Sequence, residues 1–259
     1  MRRFFVGMLL LLVWNVAAEE SPVSFRVSPP PVGYPRLEAG AKQVATGVTG
    51  TYASIDAMDT KITMLGGMAH GTFQQSFTDY FALTASLGAA MMGGNKYDLL
   101  LIQVPLGIQA LLAPVRGPWG SLYLFGGAGG DMGVTTMTIP IPQLIFQTSS
   151  IVIDETRVST TLTNGMFNGG AQVNMPAGDF ILSLFGVYSY SAGSYTTTQT
   201  STMSYKYPSS SGSIEGSSAV SLGCDLLYVP WNMALSSLVQ NREDVTVISV
   251  GVKWLMPGL

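Results

Sequence analysis

Between Leu99 and Val115 the chain reads LLLIQVPLGIQALLAPV, and its positions sort by twos. Leu100, Ile102, Val104, Leu106, Ile108, Ala110 and Leu112 share one side, while Gln103, Pro105, Gly107 and Gln109 share the other. Period two is the signature of a strand with two unlike faces. A helix would spread the amides and the proline around its circumference. The same alternation returns at 80–92, where Phe81, Leu83, Ala85, Leu87, Ala89 and Met91 oppose Ala82, Thr84, Ser86, Gly88 and Ala90. Val220, Leu222, Cys224, Leu226 and Tyr228 alternate with Ser221, Gly223 and Asp225. Ile248, Val250, Val252 and Trp254 alternate with Ser249, Gly251 and Lys253. About ten strands follow from this pattern, near 43–55, 60–74, 79–93, 98–113, 120–138, 156–175, 179–196, 213–229, 232–240 and 244–256, with eight or twelve as the alternatives.

Composition changes what these strands mean. Only 10% of residues are charged and 47% are hydrophobic, against about 25% charged in an average soluble domain. The more polar strand faces carry Gly, Ser, Thr and Gln, where a soluble sandwich would carry charge. In lipid, strands must close on themselves to satisfy their backbone. The expected fold is therefore all-β, a transmembrane antiparallel up-and-down β-barrel. A formal charge of −3, a pI near 5.0 and no basic run exclude a nucleic-acid partner. With Cys224 the single cysteine, no intrachain disulfide can form.

The one helix-length apolar run lies at the start. Arg2 and Arg3, the run Phe4 to Trp14 and the small residues Val16-Ala17-Ala18 read as a secretory signal peptide over 1–18, cleaved after Ala18. Residues 19–41, with Pro29-Pro30-Pro31, read as an extended periplasmic lead, and 42–259 as the barrel domain. An even strand count puts both barrel ends in the periplasm. Short turn-rich links such as Ala113 to Gly120 then fall on the periplasmic side, and longer ones, near 139–155 and 197–212, outside. The 139–155 segment is apolar (Ile139, Ile141, Leu144, Ile145, Phe146, Ile151, Ile153). It folds over the mouth, extends strands five and six as a ribbon, or meets an apolar partner.

Aromatic residues belong at membrane interfaces. Tyr80, Tyr123, Phe180, Tyr228, Trp231 and Trp254, with Phe73, Phe77 and Trp119, are assigned to a periplasmic girdle. Tyr52, Tyr97, Tyr190 and Tyr195 are assigned to the outer rim.

With these features the chain resembles the Gram-negative outer-membrane β-barrel proteins of the small monomeric kind. The resemblance rests on the signal peptide, the dyad strands and the last strand. Ser249, Gly251, Trp254 and Met256 match the polar-x-Gly-x-x-aromatic-x-hydrophobic spacing that the barrel-insertion machinery reads; Pro257-Gly258-Leu259 departs from the usual aromatic end. It covers about 42–256 and implies location in the cell outer membrane, with outer-membrane lipid, lipopolysaccharide and the insertion machinery as partners.

Chemistry-bearing residues are few. His70 is the single histidine and reads as a lumenal residue in a hydrogen-bonded network, too isolated for a conventional metal site. The run Gly126-Gly127-Ala128-Gly129-Gly130 lacks the Lys-Ser/Thr of a phosphate loop and reads as small residues allowing close approach. Asp131, Asp225 and Lys253 are charges within strand cores and should face the lumen. Gln103, Gln109 and Gln172 join them, with Asn174, as a candidate lumenal polar network. Asp225 and Lys253, two strands apart, are expected in one network. No catalytic, cofactor or metal residues are assigned. The reading is an integral outer-membrane protein with a structural or surface-interaction role, not an enzyme, with a narrow channel for small or hydrophobic solutes as the alternative.

Overall fold

Ten strands close into one antiparallel barrel in a computed structural model that describes residues 37–57, 60–145, 150–201, 209–242 and 245–257. They are β1 (Lys42–Ala57), β2 (Thr60–Ser76), β3 (Phe81–Gly94), β4 (Leu100–Gly117), β5 (Gly120–Ile145), β6 (Ser150–Ala177), β7 (Phe180–Ser201), β8 (Ser210–Tyr228), β9 (Met233–Arg242) and β10 (Val245–Pro257). Each pairs with its neighbours in sequence, and β10 returns to β1 from Gln43↔Pro257 to Ile55↔Val245. The expected signal peptide and nearly all of the lead lie outside the described residues. Even the shortest strand, β9 with 10 residues, has the length a tilted strand needs to cross a bilayer, about 9–11 residues.

The dyad decides what faces where. On β4, Ile102, Val104, Leu106, Ile108 and Leu112 point outward, while Leu101, Gln103, Pro105 and Leu111 are buried inside. On β10, Ile248, Val250 and Trp254 are outside and Ser249, Lys253 and Leu255 inside. Cys224 lies on the outward face of β8, where its Sγ meets Ser237 Oγ of β9 at 3.1 Å. That pairing gives two polar groups on the apolar face a partner.

One end of the barrel is closed by tight links, such as Gly117–Gly120 and the 3-10 turn Val229–Trp231, which Asn232 leaves in the left-handed region (φ 50°). At the other end the wall is uneven. β5 and β6 continue past their neighbours as a two-stranded ribbon, paired to Ile145↔Ser150. The apolar 139–155 segment thus mostly extends strands five and six. The 58–59, 202–208 and 243–244 links lie outside the described residues.

The glycine run of β5 marks a close approach. A Cβ at Gly127 or Gly129 would strike the backbone of Ile108 or Leu106 on β4, so only glycine fits there without moving the wall. At Pro105, which has no N–H to donate, the β3–β4 register skips from Leu87↔Leu106 to Ala90↔Gln103.

Candidate functional site: the lumenal polar belt

β8 and β10 flank β9, and their inward residues meet across it. Lys253 Nζ lies 2.7 Å from Asp225 Oδ2, with side-chain exposures of 3% and 1%. Ser236 of β9, the register partner of Asp225, donates its hydroxyl to Asp225 Oδ1. Burying two charges is costly, and close pairing with further hydrogen bonds is what offsets it. Both head groups face the lumen and pair directly, with Ser236 as a further partner of Asp225.

The belt continues through the register. Lys253 pairs with Gly47, Gly47 with His70, and His70 with Gly88. A Cβ at Gly88 would lie 3.2 Å from Pro105 Cγ; Pro105 pairs with Asp131, and Asp131 with Asn164. One inward row therefore runs from Lys253 past His70 to Asp131. Asn164 Nδ2 donates to Asp131 Oδ1 at 3.0 Å, and both are buried. Gln172, fully buried, donates to Asn174 Oδ1 at 2.8 Å. Gln109, half-buried, donates to Asn168 Oδ1 at 3.1 Å. Gln103 is 1% exposed and lies inside. The candidate residues share the lumen, and the bonds described join them in local groups. Asp131 belongs to the group of β5–β6, and Asp225 with Lys253 to that of β8–β10.

His70 is buried on the lumenal face, and its ring lies over Gly47. A Cβ there would sit 2.7 Å from His70 Cε1 and 2.8 Å from Nε2. The hydrogen-bonded network expected of it is not formed at Nδ1, which has no partner among the described residues. Among the described residues no three His, Cys, Asp or Glu side chains gather where they could hold a metal ion.

The girdle assignment needs correction at Tyr123. Its side chain is 2% exposed and points inward, packed with Phe125 and Leu111, its hydroxyl 3.2 Å from Ser121 Oγ. It shares parity with Ser121 and the buried Phe125, so its height along the strand fits a girdle but its face does not. Tyr195 is likewise inside, against Leu162 and Ile214. Tyr80, Phe180, Trp231 and Trp254 are exposed on the outer surface at the turn end. Tyr228 sits between Phe180, at 5.1 Å between ring centroids, and Trp231, edge-on at 5.3 Å.

One contributor was missed. Leu37, 1% exposed, enters the turn end of the lumen beside Ala82, Ala113 and Tyr123. Arg116 Nη1 holds Leu37 O at 2.8 Å and Asp79 O at 2.7 Å, and Ala39 N donates to Asp79 Oδ1 at 3.0 Å. A single leucine in a segment without periodicity carries no signal of insertion.

Comparison with known proteins places this geometry. No family model and no curated protein matches the chain. Solved structures do. The outer membrane protease OmpT from Escherichia coli aligns with TM-score 0.54 at 10% identity, over 83% of this chain and 97% of that one. The translocator domain of the autotransporter NalP from Neisseria meningitidis aligns with TM-score 0.49 at 12% identity, over 84% and 90%. At these identities the likeness concerns architecture, and in architecture this chain is a closed antiparallel β-barrel of the outer-membrane type.

Proposed function

We propose that this protein is exported by its N-terminal segment, inserted in an outer membrane and serves there as a structural or surface-interacting barrel, without enzymatic activity. The observation that carries this reading is the filled lumen. Gln103, Asp131, Gln172, Asp225 and Lys253 are each at most 2% exposed inside a ring of only ten strands. A narrow barrel is filled by its own side chains. The outward face supplies the lipid contact, with Val250, Leu222, Ile108 and Met132 at mid-wall and aromatic rings at the turn end. Lipid and lipopolysaccharide are the partners proposed for that band, and the insertion machinery for β10. The turn end is assigned to the periplasm. The ribbon of β5 and β6 then projects outside, where it offers a surface to partners.

The second reading, a narrow conduit, is favoured by one feature. Thr49 Oγ1, His70 Nδ1 and Thr72 Oγ1 are buried on the β1–β2 wall with no partner among the described residues, as the lining of a solute path would be. Planar-bilayer recording on the folded protein separates the two. The filled barrel gives no stepwise current. Steps that change in size in Lys253→Met would overturn it in favour of the conduit.

A further inference from the structure

The turn end of the lumen has a cover of its own. Just before β1, Glu38 to Ala41 form a tight turn, closed by Ala41 N donating to Glu38 O at 2.9 Å, with Gly40 in the left-handed region at φ 81°. The turn is fastened to the end of β2, where Gly40 N donates to Ser76 O at 3.0 Å and Ser76 N to Ala41 O at 2.9 Å. Ala39 N then reaches Asp79 Oδ1 in the β2–β3 link, and Arg116 of β4 grips Leu37 O. The Leu37 side chain ends among Ala82 of β3, Ala113 of β4 and Tyr123 of β5. The segment Leu37–Ala41 thus crosses the mouth from the β1 side to the β5 side. What lies behind it is sealed. Ser76, Ala82 and Ala113 stand at or near strand ends, where inward side chains meet the rim of the ring, yet each is 0% exposed. Gln172 of the polar belt, the register partner of Tyr123, is equally covered.

We propose that Leu37–Ala41 is a releasable strap that shuts the turn-end mouth of the lumen, and that its release exposes the inward residues behind it to water and small polar solutes while the wall stays closed. Strap and wall are held differently. Every strand of the wall is paired on both sides in a closed ring. The strap is held by one buried leucine side chain and a few hydrogen bonds, and its grip on β4 comes from the exposed Arg116. A segment with few buried contacts opens locally without unfolding the rest. The turn aims the leucine. No heavy atom lies within 4 Å of where a Cβ of Gly40 would be, so glycine is required there by backbone conformation and not by space. This concerns access to the interior and applies equally to a filled barrel and to a conduit.

The test is the rate at which a lumenal thiol reacts with a water-soluble methanethiosulfonate, followed by mass on the full chain folded in detergent. Cys224→Ser is present throughout. Ser76→Cys, nearly isosteric, reports on the covered mouth; Ser249→Cys, inward on β10 and 4% exposed, reports on the interior away from it. Both should react slowly in the strapped barrel. Leu37→Ser removes the apolar anchor, and Gly40→Val strains the turn without meeting a neighbour. Each should speed labelling of Ser76→Cys by about tenfold or more, because local opening sets the rate. Arg116→Ala should speed it less, since it removes only hydrogen bonds from an exposed charge. The heat-modifiable gel shift should persist in all three, and Gly40→Val carries the test if Leu37→Ser fails to fold. Fast labelling of Ser76→Cys with the strap intact, no acceleration in the folded strap variants, or equal acceleration at Ser249→Cys would overturn the strap.

Discussion

Two buried carboxylates sit on opposite sides of the same lumen and are held in different ways. Asp225, between β7 and β9, meets an opposite charge at 2.7 Å and a serine hydroxyl. Asp131, between β4 and β6, takes a neutral amide from Asn164 at 3.0 Å. Both are at most 2% exposed. The first arrangement depends on two charges surviving together, because either one alone is stranded. The second depends on an acceptor, which a neutral side chain can also provide. The barrel therefore has one buried carboxylate held by a close opposite charge and one that takes a hydrogen bond from a neutral amide.

The sharpest way to break this comparison is to strand Asp225. Lys253→Met should lower unfolding stability in urea, measured in lipid vesicles, by about 3–5 kcal/mol, because an uncompensated buried charge remains. The double variant Asp225→Leu, Lys253→Met should recover to within about 1 kcal/mol of the parent, since apolar replacement of a whole buried pair is often neutral. Equal losses in single and double variants would show that the pair's charge is not what matters.

Gly47→Ala tests the space beside the pair. The new Cβ would meet the His70 ring and, at 2.9 Å, the Val252 carbonyl oxygen. A loss of about 1–3 kcal/mol is expected from overpacking, partly relieved by His70→Ala in the same unfolding assay. No relief would place the strain at the backbone contact instead.

On the other side, Asp131→Asn should cost about 1 kcal/mol, the worth of a hydrogen bond weakened by loss of charge. A cost as large as that of Lys253→Met would erase the distinction between the two carboxylates. The smallest effect belongs to Arg116, an exposed charge at the turn end. Arg116→Ala removes two hydrogen bonds to backbone oxygens and should cost less than about 1 kcal/mol. Faster proteolysis near Leu37 with the barrel intact is the expected readout.

Much of this architecture was legible because lipid leaves a strand so few options. Parity alone placed Asp131, Asp225 and Lys253 inside, and the apolar alternation located all ten strands to within a few residues, except at the far ends of β5 and β6. There Pro140 and Pro142 and a near-continuous apolar run hid the period, so residues 139–145 read as loop. Tyr123 and Tyr195 went astray for a different reason. Their height along the strand fitted a girdle, but odd numbering on β5 and β7 puts them with the lumenal residues. Met64, Met68 and Met92 were invisible to the pattern. An apolar residue on the less apolar face of a strand looks like noise until the fold gathers several of them in one buried cluster. The pairing of Asp225 with Lys253 across β9 was legible as a relation between strands; the role of Ser236 was not.

The central claim is that consecutive residues of each strand face lipid and lumen in turn. Spin labels placed singly at 248 to 254 of β10, in a Cys224→Ser background, test it through collisional accessibility to oxygen dissolved in the bilayer. High accessibility at 248, 250, 252 and 254, with low values at 249, 251 and 253, is the predicted result. A period near 3.6, or a flat profile along the strand, would contradict it.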